Sequence, residues 1–555
     1  MTTPDKNTTP VAICGGGPVG LMLALFLDRH GIRSVVFNTE ETARWHPKGS
    51  THNSRTMEHY RRLGFSEKVR ALGLPQDHPT DVVYLTRFNA WELARIRMPS
   101  EREKVARALA AEQTAQNFEP VHRANQMYVE PLLFELARAR PRITLRFGST
   151  LEGFTEDTDG VSFRASSKGG DESWRADYLV GCDGGQSRIR RDLGIRYEGH
   201  ANLDQPFLGG KMVSTYIKAP GLYESGIGAR RGWQYWAVNP ELRTCAVDLN
   251  GRDEFLFWTR LPEGQDEPED AAVIRAFELC SGVDVRAKVI AHRTWTAGVA
   301  LWAERFWSGN RVFLAGDSVH LFTPTGGFGM NTGIEDVANL SWKLAAMLQG
   351  WGGPKLGASF EAERKPIAER NTSAARALAQ SVGAIPVSAV MEKDTPEGEA
   401  ARAEAGAFLS TFGEEFASIG VQLGARYDGS TIVCPDGTPP EDNYFEYRAS
   451  SVPGGRAPHY WLDPAGTPHR RSLFDCFGAG FTLLRLGSNP PDAAALMADA
   501  KQRGLPLAVI DLPDAAAREL YDCSLALIRP DQHVAWRGNA LPSDCSAVLD
   551  RVSGF

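Results

Sequence analysis

The sequence predicts an α/β fold in several domains, and three observations carry that expectation. A glycine-rich turn near the start joins an apolar strand to an apolar helix. Residues 205–300 are dominated by short aromatic and β-branched runs. After residue 450, short apolar strands alternate again with helical text. Together they describe a first α/β unit, an inserted and mostly antiparallel β layer, and a compact α/β tail. At 555 residues the chain exceeds a single core, so two or three domains are expected.

The first unit rests on residues 11–40. Val11–Ala12–Ile13–Cys14 reads as a short buried strand, and Gly15-x-Gly17-x-x-Gly20 follows at once. Pro18 falls where that helix begins, and Leu21, Leu23, Leu25 and Leu27 continue it to Gly31. Ser34–Phe37 reads as the second strand. This Rossmann-like order suits a dinucleotide diphosphate. The first Gly permits the tight turn, the second lets the backbone approach the pyrophosphate, and the third lets helix and strand pack closely. The acid expected at the end of the second strand is replaced by Asn38, which can still hydrogen-bond a ribose; Glu40 and Glu41 lie just beyond.

Composition removes several classes. Hydrophobic residues at 42% and charged residues at 23% are those of an ordinary globular protein. A net charge of −7 without long Lys/Arg blocks argues against nucleic acid as a partner. The polar stretch MTTPDKNTTP reads as a frayed leader rather than a signal peptide, and no apolar run is long enough for a bilayer, so a cytoplasmic protein is expected. The eight cysteines show no C-x-x-C and no metal-ligand spacing; buried free thiols are expected, and no metal.

Along the chain, Pro47–Glu58 forms a loop or short strand feeding a helix, with Lys48, His52 and Arg55 near the dinucleotide turn. Arg55 pairs either with a phosphate or with a surface acid. Arg123 and Gln126 are spaced one helical turn apart on one face. Ile143–Phe147 and Val161–Ala165 alternate as antiparallel strands. The apolar Tyr178–Gly181 then delivers Asp183 and Gly184 to a second ligand edge. In the β layer, Trp233, Tyr235 and Trp236 either line an aromatic pocket or pack a core. A third such edge is Arg311–Leu314 followed by Gly316-Asp317, then Pro324, Gly327, Gly329, Met330 and Asn331, and a helix from about Thr332 whose positive end suits a flat ligand gaining negative charge. Phe360–Pro366 closes this block. Residues 372–430 are Ala- and Glu-rich and connect domains. Tail strands are expected at Phe481–Leu484, Leu507–Ile510, Ser524–Ile528 and through Val534–Trp536.

Gly15–Gly20, Asp183-Gly184 and Gly316-Asp317, in this order, resemble the single-component FAD-dependent aromatic hydroxylases, class A flavoprotein monooxygenases, over about residues 10–380. The tail, with Pro453–Pro458, Arg529-Pro530-Asp531 and Val534–Gly538, is similar to the redox-inactive thioredoxin-like domain of the phenol hydroxylase branch. The resemblance implies a p-hydroxybenzoate hydroxylase-like FAD domain from residues 1–80, 121–200 and 301–380. It implies a substrate domain from 81–120 and 201–300, a helical connector at 381–445, and a thioredoxin-like domain at 446–555. Gly15, Gly17, Pro18 and Gly20 would hold the FAD diphosphate, with Asn38 in the ribose position. Arg55, Arg123 and Gln126 match flavin or phosphate contacts, Asp183 matches a residue credited with FAD and NAD(P)H contacts, and Gly316-Asp317 matches the ribityl and diphosphate position. Pro324, Gly327, Gly329, Met330 and Asn331 match the loop over the isoalloxazine. Lys48 stands where many relatives have Arg.

The implied reaction is NAD(P)H-driven hydroxylation of a phenolic or related electron-rich aromatic by O2 through a flavin C4a-hydroperoxide. A homodimer is the implied assembly. Alternatives are a Baeyer–Villiger or ring-cleaving monooxygenase acting on an aromatic polyketide-like ketone, and a non-oxygenating flavin reductase. A phenol needs a base. Some relatives place Asp or His where this chain has Ser50; His52, two residues on, would share its face if the stretch is extended, and Tyr235 is the alternative from the substrate domain.

Overall fold

The computed structural model describes residues 7–201, 210–262, 264–265 and 267–555. Val11, Ala12 and Ile13 are wholly buried, as a central strand covered on both faces requires. Their strand, Thr8–Cys14, runs parallel between Ser34–Asn38 and Gly170–Gly181. Ile143–Phe147 adds outside Ser34–Asn38, and Val312–Leu314 pairs with the end of Gly170–Gly181, both parallel. The first half of Gly170–Gly181 pairs antiparallel with Val161–Ser167, which pairs with Ser149–Glu156. Cys14, Asn38, Gly181 and Leu314 therefore finish at one edge, where ligands bind in parallel α/β sheets.

A second sheet carries the strands Lys288–Ala297, Gly210–Lys218, Glu254–Arg260, Arg243–Asp248, Gln234–Val238, Val82–Leu85 and Glu92–Ile96, in that spatial order. Every pair is antiparallel except Gln234–Val238 with Val82–Leu85. The tail folds into a mixed four-stranded sheet, ordered Leu507–Leu512, Phe481–Leu486, Leu525–Ile528, Val534–Gly538, with helices Ala494–Gln502 and Cys545–Ser553 packed together beside it. Among the described residues no helix is long and apolar enough to cross a membrane, and no group of three metal-ligating side chains is assembled.

Several expectations change. Ile143–Phe147 is parallel, not antiparallel, because the helix Gln126–Arg138 carries the chain back along the sheet before it. The first strand starts at Thr8, so part of the polar leader is in the sheet; residues 1–6 lie outside the described ones. The block does not close at Phe360–Pro366, because the helix Lys355–Gly383 runs on through it with Pro366 inside. Only Cys245, Cys280 and Cys523 are buried among eight free thiols, and Cys476 is exposed. Residues 381–416 do more than connect: Val382, Ile385, Leu409 and Phe412 share one core with Tyr84, Trp236 and Val247 of the second sheet.

The tail is tied to the first unit by buried charge. Arg529 sends two hydrogen bonds to Glu363, at 2.7 and 2.8 Å, and two to Asp531, at 2.6 and 3.0 Å; Lys343 adds a bond to Glu363 at 2.6 Å. Arg456 reaches Glu58 at 2.6 Å, and Glu58 also takes Arg55 at 2.7 Å. Burial works against the Glu363 carboxylate, yet Arg529 and Lys343 override it and hold this group well below the usual range. Its stabilising contribution is complete above the ordinary carboxylate range and is lost as pH falls through the depressed folded value. Arg529→Ala leaves two buried carboxylates short of a partner, an expected loss of about 3–5 kcal/mol. Urea unfolding at neutral pH measures it, and a loss under about 1 kcal/mol, the range of an exposed pair, would contradict this reading.

Candidate active site

The parallel-strand edge opens into a cavity of about 980 Å³, closed on the far side by the second sheet. Gly15, Gly17 and Pro18 form its floor, and the helix Pro18–Arg29 points its N-terminus at it. A Cβ on Gly20 would sit 2.0 Å from the Gly15 carbonyl oxygen, so only glycine lets the helix come this close. A Cβ on Gly17 would meet nothing within 4 Å: the space beside it is the cavity. Asn38 also lines the cavity and accepts the Gly16 N–H at 3.0 Å, steadying the turn.

The opposite wall comes from residues 317–330, with Asp317, Pro324, Gly327, Gly329 and Met330 facing in. The helix Gly329–Gln349 starts here, so a second positive helix end is aimed at the cavity. Asn331 faces away and acts as a clamp. Its amide donates to the Thr51 and Gly327 carbonyls, the Thr51 bond at 2.9 Å and the Gly327 bond at 2.6 Å, and accepts the Asn53 N–H at 3.0 Å. Gly316 supports its turn from behind, its N–H held by Asp336 at 3.1 Å.

Lys48, Arg123, Gln126 and Asp183 complete this side. Arg123 lies on the short strand His122–Arg123, not on the helix with Gln126 as its spacing suggested; Asn125 caps that helix, and both side chains still reach the cavity. Arg123 donates to Thr51 Oγ1 and stacks on Trp233 at 4.1 Å. Burial pulls the Lys48 ammonium below its usual range, with Asp317 opposing the shift. The second sheet supplies Gln234, Trp236, Trp258 and Trp295, and Trp233 lies just before its strand.

His52, Tyr235 and Arg55, like Asn331, Gly316 and Gly20, do not line the cavity. His52 is fully buried, with Nδ1 at 3.1 Å from the Tyr60 hydroxyl and Nε2 at 3.0 Å from the Ala124 carbonyl. Ser50 lines the cavity and His52 does not; burial pushes the imidazole down to about 3. Tyr235 alternates to the far face of its sheet, its hydroxyl tied to Gly232 and 3.3 Å from that of Tyr223, while Gln234 and Trp236 take the cavity side. Arg55 is spent on Glu58, Glu335 and Gln532 in the buried ion network, away from any phosphate position.

Residues 415–422, not among the candidates expected from the sequence, also reach the site. Glu415, Phe416, Ser418 and Gln422 line the cavity, and Gln422 Oε1 accepts the Ser54 N–H at 3.1 Å. Phe408, Phe412 and Phe416, four residues apart, were the signal: one apolar stripe inside Ala- and Glu-rich text.

The residues present fit FAD. Two converging helix N-termini suit its diphosphate and pyrimidine, and the cavity polar atoms Asp183 Oδ1 and Trp233 Nε1 are buried without a protein partner. When bound, FAD would take hydride from NAD(P)H and activate O2. Gly17→Val should keep the fold yet lose most bound FAD, because its side chain enters open cavity. Gly20→Ala should lower both FAD content and melting temperature, because its methyl meets backbone. Flavin released per chain and thermal unfolding separate the two, and full FAD retention by Gly17→Val would contradict the floor assignment.

Residues 8–375 match the FAD binding domain family, and residues 450–554 match the aromatic-ring hydroxylase C-terminal family. The FAD-dependent monooxygenase apdD of Emericella nidulans is 32% identical, covering 100% of this chain and 92% of its own. The 2,4-dichlorophenol 6-monooxygenase of Cupriavidus pinatubonensis is 29% identical over 98% of this chain and 95% of its own. Among solved structures, RebC with bound 7-carboxy-K252c is similar at a TM-score of 0.88 and 32% identity, over 99% of this chain and 100% of that one. With both matched families in place and a cavity built to take FAD, the chain belongs to the FAD-dependent aromatic hydroxylases, flavoprotein monooxygenases driven by NAD(P)H.

Proposed function

We propose that the chain hydroxylates a phenolic aromatic larger than a single ring. The observation that carries this reading is the wall of four tryptophans, Trp233, Trp236, Trp258 and Trp295, in the same cavity as the loop Pro324–Met330. Indole faces give flat apolar area at low entropic cost and favour extended aromatic ligands. The dichlorophenol named for one relative supports a phenol as the reacting group.

In this reading Gly15, Gly17 and Pro18 hold the FAD diphosphate, and Asn38 and Asp317 serve its hydroxyl groups. Pro324, Gly327, Gly329 and Met330 carry the ring system, and Asn331 positions that loop. Asp183 hydrogen-bonds the cofactor through Oδ1. Arg123 and Gln126 orient the flavin or the substrate, and Lys48 at the cavity mouth serves anionic groups of either nucleotide. The second sheet excludes water from the reacting atoms. A cytoplasmic homodimer belongs to the same proposal, and light scattering of the purified holoenzyme tests the dimer.

Anaerobic reduction of the flavin by NADPH or NADH, with and without a panel of one-ring and fused-ring phenols, tests the function. A fused-ring phenol should accelerate reduction by orders of magnitude and, in air, leave with one added hydroxyl and its rings intact. Equal acceleration by nothing larger than phenol itself would remove the size claim. Ring insertion would favour a Baeyer–Villiger enzyme, and fast reduction without any aromatic would favour a plain reductase.

A further inference from the structure

With His52 and Tyr235 turned away, the cavity still contains a carboxyl group suited to a phenol. Glu415 lies on the short helix Gly413–Phe416 and lines the cavity beside Phe416, whose ring meets Trp233 edge-on at 6.4 Å. Its Oε1 accepts the Gly326 N–H at 3.2 Å, which places the carboxyl against the glycine-rich loop. That is the carboxyl's one hydrogen bond among the described residues. The titratable groups facing it are Arg123 from the strand His122–Arg123, Tyr84 from Val82–Leu85 and Cys245 from Arg243–Asp248. Arg123 is engaged by Thr51 and Trp233 instead of by Glu415.

Two other buried-side carboxylates of the cavity, Asp183 and Glu130, are less suited. Asp183 is bound by the Arg188 N–H at 2.7 Å and the Ile189 N–H at 3.2 Å at a helix start, and Glu130 takes the Gln126 amide. We propose that Glu415 is the proton acceptor that ionises the phenolic hydroxyl of the substrate, an assignment that rests on the phenolic reading above. The O–H bond breaks, the proton goes to the Glu415 carboxylate, and the electron pair stays on the phenolate oxygen, enriching the ring for oxygen transfer. One oxygen atom of O2 then replaces a ring hydrogen as hydroxyl; the other leaves as water, with two electrons from NAD(P)H and one added proton. The proton lent to Glu415 returns to the phenolate oxygen. Burial raises this acid to about 7, with Arg123 and the Gly326 N–H opposing the shift, which is where a general base at neutral pH is most effective.

The test uses oxidised holoenzyme with the hydroxynaphthalene or hydroxyanthraquinone that most accelerates flavin reduction, and follows the phenolate absorbance of the bound probe against pH. In the wild type the bound probe should ionise at lower pH than the free probe. In Glu415→Gln, with FAD content unchanged, the midpoint should rise to that of the free probe or above, and Glu415→Asp should restore part of the shift. An unchanged midpoint in Glu415→Gln would overturn the assignment. If no such probe binds or is hydroxylated by the wild type, the phenolic reading itself falls, and the assignment with it.

A second readout needs no substrate. An acid whose folded value is raised stabilises most at low pH and loses that contribution between the ordinary carboxylate range and about 7. Glu415→Gln should therefore melt with the wild type at pH near 5 and above it at pH near 8. Equal melting at both would show that the carboxyl is not held in its neutral form, and would count against the proposal.

Discussion

The whole site depends on two helices approaching more closely than side chains normally allow. Pro18–Arg29 and Gly329–Gln349 both direct their N-termini at the cavity, and they pack against each other through Val19. A Cβ on Gly333 would come within 2.7 Å of that valine and 2.9 Å of the Gly316 Cα. Glycine at this point lets the first turn, the Gly316 turn and the long helix share one small volume. Two partial positive charges thereby meet around one ligand, although about 300 residues of chain separate them.

Around that contact, polar groups divide by whether the protein itself satisfies them. Asn331 uses its donors and acceptor to join Thr51, Asn53 and Gly327, so it fixes the shape of the cavity without entering it. Asp336 does the same behind Gly316, with His320 at 2.7 Å and Arg364 at 2.9 Å. Arg55 belongs to the buried ion network under the tail. Facing the cavity with unmet capacity, among the described residues, are Asp183 Oδ1, Trp233 Nε1, His46 Nε2 and Thr323 Oγ1, and beside them the Glu415 carboxyl with its single hydrogen bond. Leaving such groups unpaired is costly in a folded core, and a bound ligand is what offsets the cost.

Much of this was legible in the sequence because glycine spacing and strand alternation are local signals. Gly15, Gly17 and Gly20, the strand leading to Asp183, the Gly316 turn and the four tail strands all stand where those signals put them. The failures were about direction. Tyr235 and Trp236 look alike as text, and only the pairing of Gln234–Val238 with its neighbours decides which ring meets the cavity. His52 was placed by assuming that it shares a face with Ser50, yet Ser50 lines the cavity and His52 does not. Arg55 gave no hint that its partners would include Gln532, 477 positions away. The stretch ending in Glu415 looked like a linker because its function comes from a fold-back onto the second sheet, a contact that no local period records.

The chemistry assigned to this cavity is the transfer of an oxygen atom from O2 to an aromatic ring. Turnover under labelled dioxygen, with the fused-ring phenol that best stimulates flavin reduction, tests it most directly by mass spectrometry of the product. One labelled oxygen atom per product molecule is expected, carried as a new hydroxyl on an intact ring. Product without label, or O2 consumption that yields only hydrogen peroxide for every aromatic offered, would contradict it.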